Sequence, residues 1–320
     1  MRRVVLIGFL CAVVGGGIAM AQEGDAPKKT VGWFNSTELS LAVTEGNSAT
    51  DTFAFKNSLT RAWEKSRVRV VLDGMRANTS DDRFFLADPG QTFLPGETPM
   101  LTTTVLITPS KEVDAEKYFF EGRFTRKLGG SRSWNAGASW DRNEDAGILN
   151  RYIGFGGIGN HWKNGEKLDL ETSYGLSYTD REEETPDPEK EQEFFGVRLT
   201  MDLDYRVRPS TTLSYDLTGN VNAEDTNDYS VDSTGAFSVS ISKRVALKVS
   251  LQFLYNSEPA LEDVDVIARL IIVDPNGIPG DGDEFFETVD SGGFEITVGE
   301  DQARKTELDT IFRTSLVISF

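Results

Sequence analysis

Residues 310–320 close the chain with the sequence TIFRTSLVISF. Taken in steps of two from the chain end, one face of this stretch consists of Phe320, Ile318, Leu316, Thr314 and Phe312. That face is almost wholly apolar, whereas the residues between become polar and charged away from the chain end. The alternation predicts a β-strand with one face toward an apolar environment and the other toward a wet one.

A final strand that stops on an aromatic residue resembles the closing strand of bacterial outer-membrane β-barrels. In those proteins the barrel assembly machinery reads the terminal aromatic residue. We therefore expect an assembly signal formed by the apolar face of the last strand, which comprises Phe312, Leu316, Ile318 and Phe320. The rest of the chain can then be interpreted as strands that lead up to this one.

The other end of the chain predicts export. Two arginines after Met1 precede an apolar run from Val4 to Met20, and the run closes on the small-residue site Ala19-Met20-Ala21. This order is typical of a cleaved signal peptide, here residues 1–21, and the run is short for an uncleaved membrane anchor. The single cysteine, Cys11, lies inside it, so we expect neither a disulfide nor a thiolate metal site in the mature chain.

The composition excludes several classes of protein. The chain has 33 Lys and Arg against 51 Asp and Glu, a formal net charge of −18, which argues against nucleic-acid binding. Aromatic residues make up 10% of the chain and turn signals are regular, so the acidity does not indicate disorder. No apolar run after the predicted signal is long enough for a transmembrane helix.

Alternation of apolar and polar residues recurs along the mature chain. After a short polar lead at residues 22–32, it predicts an all-β fold over residues 33–320, an antiparallel transmembrane β-barrel of about twelve strands. The clearest alternation runs from Leu168 to Tyr178. The glycine-rich strand at 151–162 is ambiguous, because its glycines have no side chain to assign to a face. We expect long loops near 78–112 and 256–302.

Turn length and charge vary together along the chain. The short connections are basic, as at Lys243-Arg244, and the longer ones are acidic, as at Glu182-Glu183-Glu184. A membrane barrel with short periplasmic turns and long outer loops explains this sorting, whereas the alternative, a soluble β-sandwich, does not. An even number of strands would bring both termini to the periplasmic side.

One stretch carries a family resemblance. Residues 39–50, LSLAVTEGNSAT, together with 117–120, 153–157 and 313–316, resemble the salt-induced outer membrane protein family, whose function is unknown. The resemblance covers most of the mature chain and implies an outer-membrane barrel without established catalytic residues. The segment 256–302 departs from the family pattern, so no function in that loop carries over.

The strand alternation also predicts which charged residues face the lumen. These are Glu121, Arg123, Asp169, Glu171, Arg198, Asp202, Asp204, Arg206, Lys248, Asp309 and Arg313. Charges inside a narrow barrel either pair into a plug-like network or line a wet passage. Both signs are present, which favours pairing. Acidic residues at the outer mouth would concentrate cations.

No pattern indicates catalysis. The single histidine, His161, lies beside Trp162 near a short turn, away from the outer rim where barrel hydrolases place their sites. We therefore expect no enzyme activity, and we expect no bound cofactor. A weak metal candidate comprises Asp274, Asn276, Asp281 and Asp283, whose spacing is not that of an EF-hand, so a solvated acidic turn is the alternative.

The acidic run at residues 180–193 predicts a mobile, water-exposed loop. It could also bind divalent cations that bridge to lipopolysaccharide phosphates. The sequence thus predicts an outer-membrane barrel with a structural or stress-related role and restricted permeability. The alternatives are a passive, porin-like channel that prefers cations and, more weakly, a loop-based adhesin or receptor. The expected partners are outer-membrane lipid, lipopolysaccharide and the barrel assembly machinery.

Overall fold

The computed structural model describes residues 31–45, 50–87, 89–93, 105–163, 167–275, 285–289 and 292–319. The predicted signal peptide, nearly all of the lead and Phe320 lie outside these residues. The strands are β1 (Gly32–Glu45), β2 (Thr50–Ala62), β3 (Ser66–Leu86), β4 (Thr92–Phe93), β5 (Val105–Gly129), β6 (Arg132–Asn143), β7 (Ile148–Lys163), β8 (Leu168–Glu183), β9 (Glu193–Arg208), β10 (Thr211–Asn222), β11 (Tyr229–Ser240), β12 (Val245–Asn256), β13 (Leu261–Val273), β14 (Phe285–Thr288), β15 (Phe294–Arg304) and β16 (Leu308–Ser319). No helix in the described part of the chain is long and apolar enough to span a bilayer.

Twelve of these strands form a closed antiparallel barrel, in the order β1, β2, β3, β5 to β12 and β16. The ring closes because β1 pairs with β2 on one side and with β16 on the other. In the closing pair Leu39 lies opposite Leu316. The prediction of an all-β barrel of about twelve strands, closed by the last stretch of sequence, is confirmed.

The outward face of the barrel is apolar. Leu41, Leu176 and Phe195 point away from the barrel and are 73%, 69% and 62% exposed. The inward neighbours Ser40 and Ser177 are buried. A sheet in water would show the opposite arrangement, with its apolar residues covered. An outward apolar band with a polar interior is the pattern of a barrel surrounded by lipid.

The two ends of the barrel differ. At the short-turn end the chain reverses within a few residues, for example at 209–210 between β9 and β10, and β1 begins and β16 ends there. At the long-loop end lie the connections β3–β5, β6–β7, β8–β9, β10–β11 and β12–β16.

The connection near 78–112 is shorter than the sequence pattern suggests. Strand β3 continues to Leu86 and β5 begins at Val105, so residues 87–104 join them and include β4. The two strands pair as far as Phe85 and Val105. Each strand supplies the backbone hydrogen-bond partners of the other, so the hairpin can continue beyond the rim despite its polar sequence.

The segment near 256–302, expected to be a loop, contains β13, β14 and β15. Strand β13 pairs with β15 and β14 in antiparallel fashion and with the end of β3 in parallel fashion, where Asp265 lies opposite Phe84. Val264, Val266 and Phe85 form a small buried cluster on this sheet. The described part of the segment is therefore a folded insertion that shares a small core with the end of β3.

Candidate functional site: the barrel lumen and its cap

The barrel interior holds a cavity of about 240 Å³. Its lining includes seven basic and eight acidic side chains, contributed by strands around most of the ring. So many charges facing a small enclosed volume must be paired or hydrated, because desolvating an isolated charge is costly. Most of these charged side chains form ion pairs with one another.

Several ion pairs cross the lumen. Arg69 of β3 lies 4.0 Å from Asp202 of β9, and four barrel strands separate β3 from β9 around the wall. Closer to the short-turn end, an Arg67 guanidinium nitrogen donates to a Glu171 carboxylate oxygen at 2.8 Å, from β3 to β8. Side chains that join nearly opposite strands obstruct the space between them, so these pairs narrow the passage.

A third crossing links β5 to β9 through a shared carboxylate. Glu121 accepts a hydrogen bond from Arg198 at 3.1 Å and is paired with Arg123 at 3.0 Å. Both guanidinium groups also lie near the ring of Phe155, with Arg198 at 4.4 Å and Arg123 at 5.5 Å from its centroid. Arg198 and Glu121 are buried, so this network fills one side of the lumen.

Further pairs brace the remaining wall. Arg313 of β16 donates to both carboxylate oxygens of Asp73 of β3, at 2.9 and 2.8 Å. Lys248 of β12 donates to Glu38 of β1 at 2.9 Å. Toward the short-turn end, His161 Nε2 lies 2.7 Å from Asp169 Oδ1. These contacts skip at least one strand, except the His161 contact, which joins neighbouring strands.

Glycines form the wall beneath the Arg–Phe155 network. Gly157 of β7 lies directly opposite Gly175 of β8. A Cβ added at Gly175 would lie 2.1 Å from the carbonyl oxygen of Gly156, and one added at Gly157 would lie 2.4 Å from that of Tyr174. The two backbones therefore approach too closely for a side chain at either position, which explains the glycines at 157 and 175.

The structure places the predicted lumen residues in three groups. Those that line the cavity are Glu121, Arg123, Arg198, Asp202, Asp309 and Arg313. Asp169, Glu171 and Lys248 are paired outside the cavity lining, whereas Asp204 and Arg206 are exposed toward the short-turn end. The sequence reasoning missed other lining residues, among them Lys56, Arg69, Lys117, Arg151, Asp216 and Asp232. Alternation could have found Asp216, since it lies between Tyr215 and Leu217, whereas Asp232 is followed by the polar Ser233.

A cap crosses the mouth at the long-loop end. We define it as the described residues of the insertion at 257–307 together with the loops 144–147, 184–192 and 223–228. The insertion leaves β12, contacts loop 184–192 at the Thr185–Leu261 bridge, runs beside β3 and returns to β16. Pro259 and Thr306, both in the insertion, line the cavity. A segment that touches such widely separated strands must pass over the lumen.

Buried charges hold the cap together. The amine of Lys190 donates to a Glu183 carboxylate oxygen at 2.6 Å and to the backbone oxygen of Glu258 at 2.5 Å. Arg181 lies 2.9 Å from Asp228 and 3.7 Å from Glu183. The side chains of Lys190 and Glu183 are each 2% exposed. Burial lowers the pKa of Lys190, and the charge of Arg181 acts in the same direction, while Glu183 opposes them.

The expectation of a mobile, water-exposed run at 180–193 is therefore wrong for its central part. Asp187 is buried, accepts a hydrogen bond from the Glu189 N–H at 2.9 Å and pairs with Arg304 at 2.7 Å. The hydrogen bond from Glu189, together with Arg304, lowers the pKa of Asp187 despite its burial. Charge density predicted solvation, but partners from the distant insertion neutralise these residues.

Replacing Lys190 with methionine is expected to open the cap locally. Glu183 would stay buried after losing its closest cation, an arrangement that costs more than the pair itself contributes. We expect protease cleavage within 184–192 of the folded barrel to rise about tenfold, equivalent to about 1.4 kcal/mol of local stability. Limited proteolysis with a glutamate-specific protease would measure it.

The matched control for this test is Arg269→Gln, which breaks the exposed Arg269–Glu295 pair in the same insertion. Exposed pairs contribute little, so cleavage should stay near the wild-type rate. The double variant Lys190→Met/Glu183→Gln should recover part of the protection. Equal cleavage of wild type and Lys190→Met would contradict the proposed role of this buried charge.

The weak metal candidate is only partly within the described residues. Asp274 is described, whereas Asn276, Asp281 and Asp283 are not. Within the described ranges, no group of three or more His, Cys, Asp or Glu side chains is placed to hold a metal ion.

A family model described as "Protein of unknown function, DUF481" matches residues 37–270. The match begins in β1 and ends within β13, so β14, β15 and β16 lie beyond it. No curated protein matches the chain.

Solved structures similar to the chain include three porins. The NanC porin is 8% identical, with a TM-score of 0.46, over 88% of this chain and 98% of that one. The KdgM porin, solved in complex with disordered oligogalacturonate, is 9% identical, with a TM-score of 0.40, over 89% and 99%. An anion-selective porin from Comamonas acidovorans is 11% identical, with a TM-score of 0.35, over 91% and 99%. Neither a ligand nor an activity of this chain follows from these similarities.

Proposed function

This chain belongs to the DUF481 family, and we propose that it is an outer-membrane barrel with a structural or stress-related role and restricted permeability. The outward apolar band supports placement in a membrane. We further propose that the long-loop end faces outward, because β1 begins and β16 ends at the other end. Export through a cleaved signal peptide at 1–21 is part of the same proposal.

The observation that carries restricted permeability is the set of ion pairs across the lumen. Arg69–Asp202 and Arg67–Glu171 each join strands separated by at least three others. They lie in succession along the inward face of β3, so a solute must pass both. The cap over the opposite mouth also restricts the passage of solutes. An open passive pore would need neither feature.

Conductance of the refolded mature chain in a planar bilayer tests this function. We expect the wild type to show small or absent steps. The variant Arg67→Gln/Glu171→Gln keeps the net charge but removes one crossing pair, so its conductance should rise severalfold. Heat-modifiable gel migration would establish that both proteins are folded.

The matched control is Arg76→Gln/Glu116→Gln, which also keeps the net charge and removes an ion pair between the neighbouring strands β3 and β5, outside the cap and without touching a crossing contact. Its conductance should equal that of the wild type. Large steady wild-type steps that Arg67→Gln/Glu171→Gln leaves unchanged would show that the crossing pairs do not limit passage, and the proposal would fail.

A passive channel that prefers cations is the second candidate. The acidic surface at the long-loop end favours it, since Glu189, Glu224 and Asp225 are exposed there and would raise the local concentration of cations. A cation-selective reversal potential in a salt gradient, with large wild-type steps, would support this candidate over the first. The same acidic surface supports a proposed contact with lipopolysaccharide through divalent cations.

Catalysis is not part of the proposed function. His161 is paired with Asp169 near the short-turn end, away from the long-loop rim. The barrel assembly machinery remains the proposed partner of the terminal strand, whose Phe312 and Leu316 face outward.

A further inference from the structure

The charges that line the lumen cavity are sorted between two opposite walls. The wall from β2 to β9 contributes six basic and four acidic side chains to the cavity. The wall from β10 to β16, with the residue just before β16, contributes one basic and four acidic side chains. The first wall is therefore net positive and the second net negative, which creates a field across the lumen rather than along it.

The positive wall offers charges that a solute can reach. Lys56 and Arg69 have side chains 30% and 38% exposed, and their nearest carboxylates lie at 3.9 and 4.0 Å, at the outer limit of an ion pair. Lys56 and Arg69 can therefore bind an additional acceptor such as a carboxylate.

The negative wall is built mainly from neighbouring strands. Asp216 of β10 and Asp232 of β11 both line the cavity, and Asp309 of β16 lies further around the same wall. Asp232 accepts hydrogen bonds from the Gln252 amide at 2.9 and 3.0 Å, which hold its carboxylate in place. Among the described residues, neither Asp216 nor Asp232 forms one of the ion pairs that brace the lumen, so their charges act on the cavity that they line.

From this arrangement we infer that the cavity binds and passes small zwitterionic solutes that carry a carboxylate and an ammonium group. A solute with a single charge is attracted by one wall and repelled by the other. A zwitterion that lies across the field is attracted by both. The cavity volume of about 240 Å³ limits the solute to roughly the size of an amino acid. The inference rests on the proposed function, since it describes what a restricted lumen still admits.

Four solutes of nearly equal size separate charge from volume in a proteoliposome swelling experiment: alanine, lactate, alaninamide and lactamide. Alanine carries both charges, lactate only a negative charge, alaninamide only a positive charge and lactamide no charge. With the refolded mature chain, alanine should enter severalfold faster than the other three. The variant Asp216→Asn/Asp232→Asn should lose this preference and admit lactate faster than the wild type does.

The control variant Glu189→Gln/Glu224→Gln removes two carboxylates from the exposed loops and should keep the preference for alanine. Equal entry of all four solutes, or faster entry of either ion than of alanine, would overturn the inference. So would a folded barrel that admits none of them, although that result would leave the proposed restricted barrel standing. Rapid entry of all four together with large conductance steps would overturn the proposed function as well.

Discussion

Leu199→Arg is expected to lower the free energy of unfolding by about 2–4 kcal/mol, the cost of an arginine on the lipid face of a barrel near mid-membrane. Leu199 lies near the middle of β9, is 51% exposed on the outward face and is flanked by Tyr174 and Gly219 on the adjoining strands. Urea titration of the barrel in lipid bilayers would measure the loss. Leu170 also faces outward but is only the third residue of β8 and lies nearer the short-turn end, so Leu170→Arg should cost less.

Val207→Arg is the matched control for this prediction. Val207 lies on the same strand and the same face as Leu199, but next to the short-turn end. The cost of an arginine falls to about 0–1 kcal/mol near the membrane interface. Equal stability of Leu199→Arg and the wild type would mean that this face of β9 does not contact lipid.

Gly175→Ala is expected to destabilise the barrel by about 3 kcal/mol or to block its assembly, at the upper end of what overpacking costs. The added methyl group would lie 2.1 Å from the Gly156 carbonyl oxygen and 2.5 Å from the Gly157 Cα. Both obstacles are backbone atoms in a paired strand, so no side-chain rotation relieves the clash. The wall beneath Phe155 would have to move.

Gly154→Ala, in the adjoining glycine-rich strand β7, provides the control. Gly154 faces outward, and a Cβ added there meets nothing within 4 Å. Replacing glycine with alanine in an unstrained strand position should be neutral or favourable by a few tenths of a kcal/mol. Heat-modifiable migration and urea titration of both variants test the pair, and equal behaviour would contradict the close approach of β7 and β8.

The crossing pairs and the cap concern the same property, access to the lumen, from opposite ends. Arg67–Glu171 lies toward the short-turn end, whereas the Lys190–Glu183 pair lies in the cap. The variants that break them can therefore be combined. If the two barriers act in series, Arg67→Gln/Glu171→Gln should raise conductance more when Lys190 is also replaced.

Sequence alternation predicted the inward side of many lumen residues but none of their partners. Glu121 and Arg198 were both expected to face inward, yet nothing in the sequence joins positions that lie 77 residues apart. The prediction of a water-exposed loop at 184–192 was wrong for the same reason. Its charges predict solvation when taken alone, and only the insertion supplies Arg304 as a partner for Asp187.

The sequence by itself determined the barrel strands, most of their faces, their approximate number and the closure on the last stretch. Each of these depends on a period of two residues within a single strand, or on the length of the adjoining turn, and both are local properties. The tertiary structure alone decided which lumen charges meet, where glycine is obligatory and that an insertion covers the mouth. Those outcomes depend on the tilt and stagger of a closed ring, which bring strands distant in sequence to opposite sides of one narrow space.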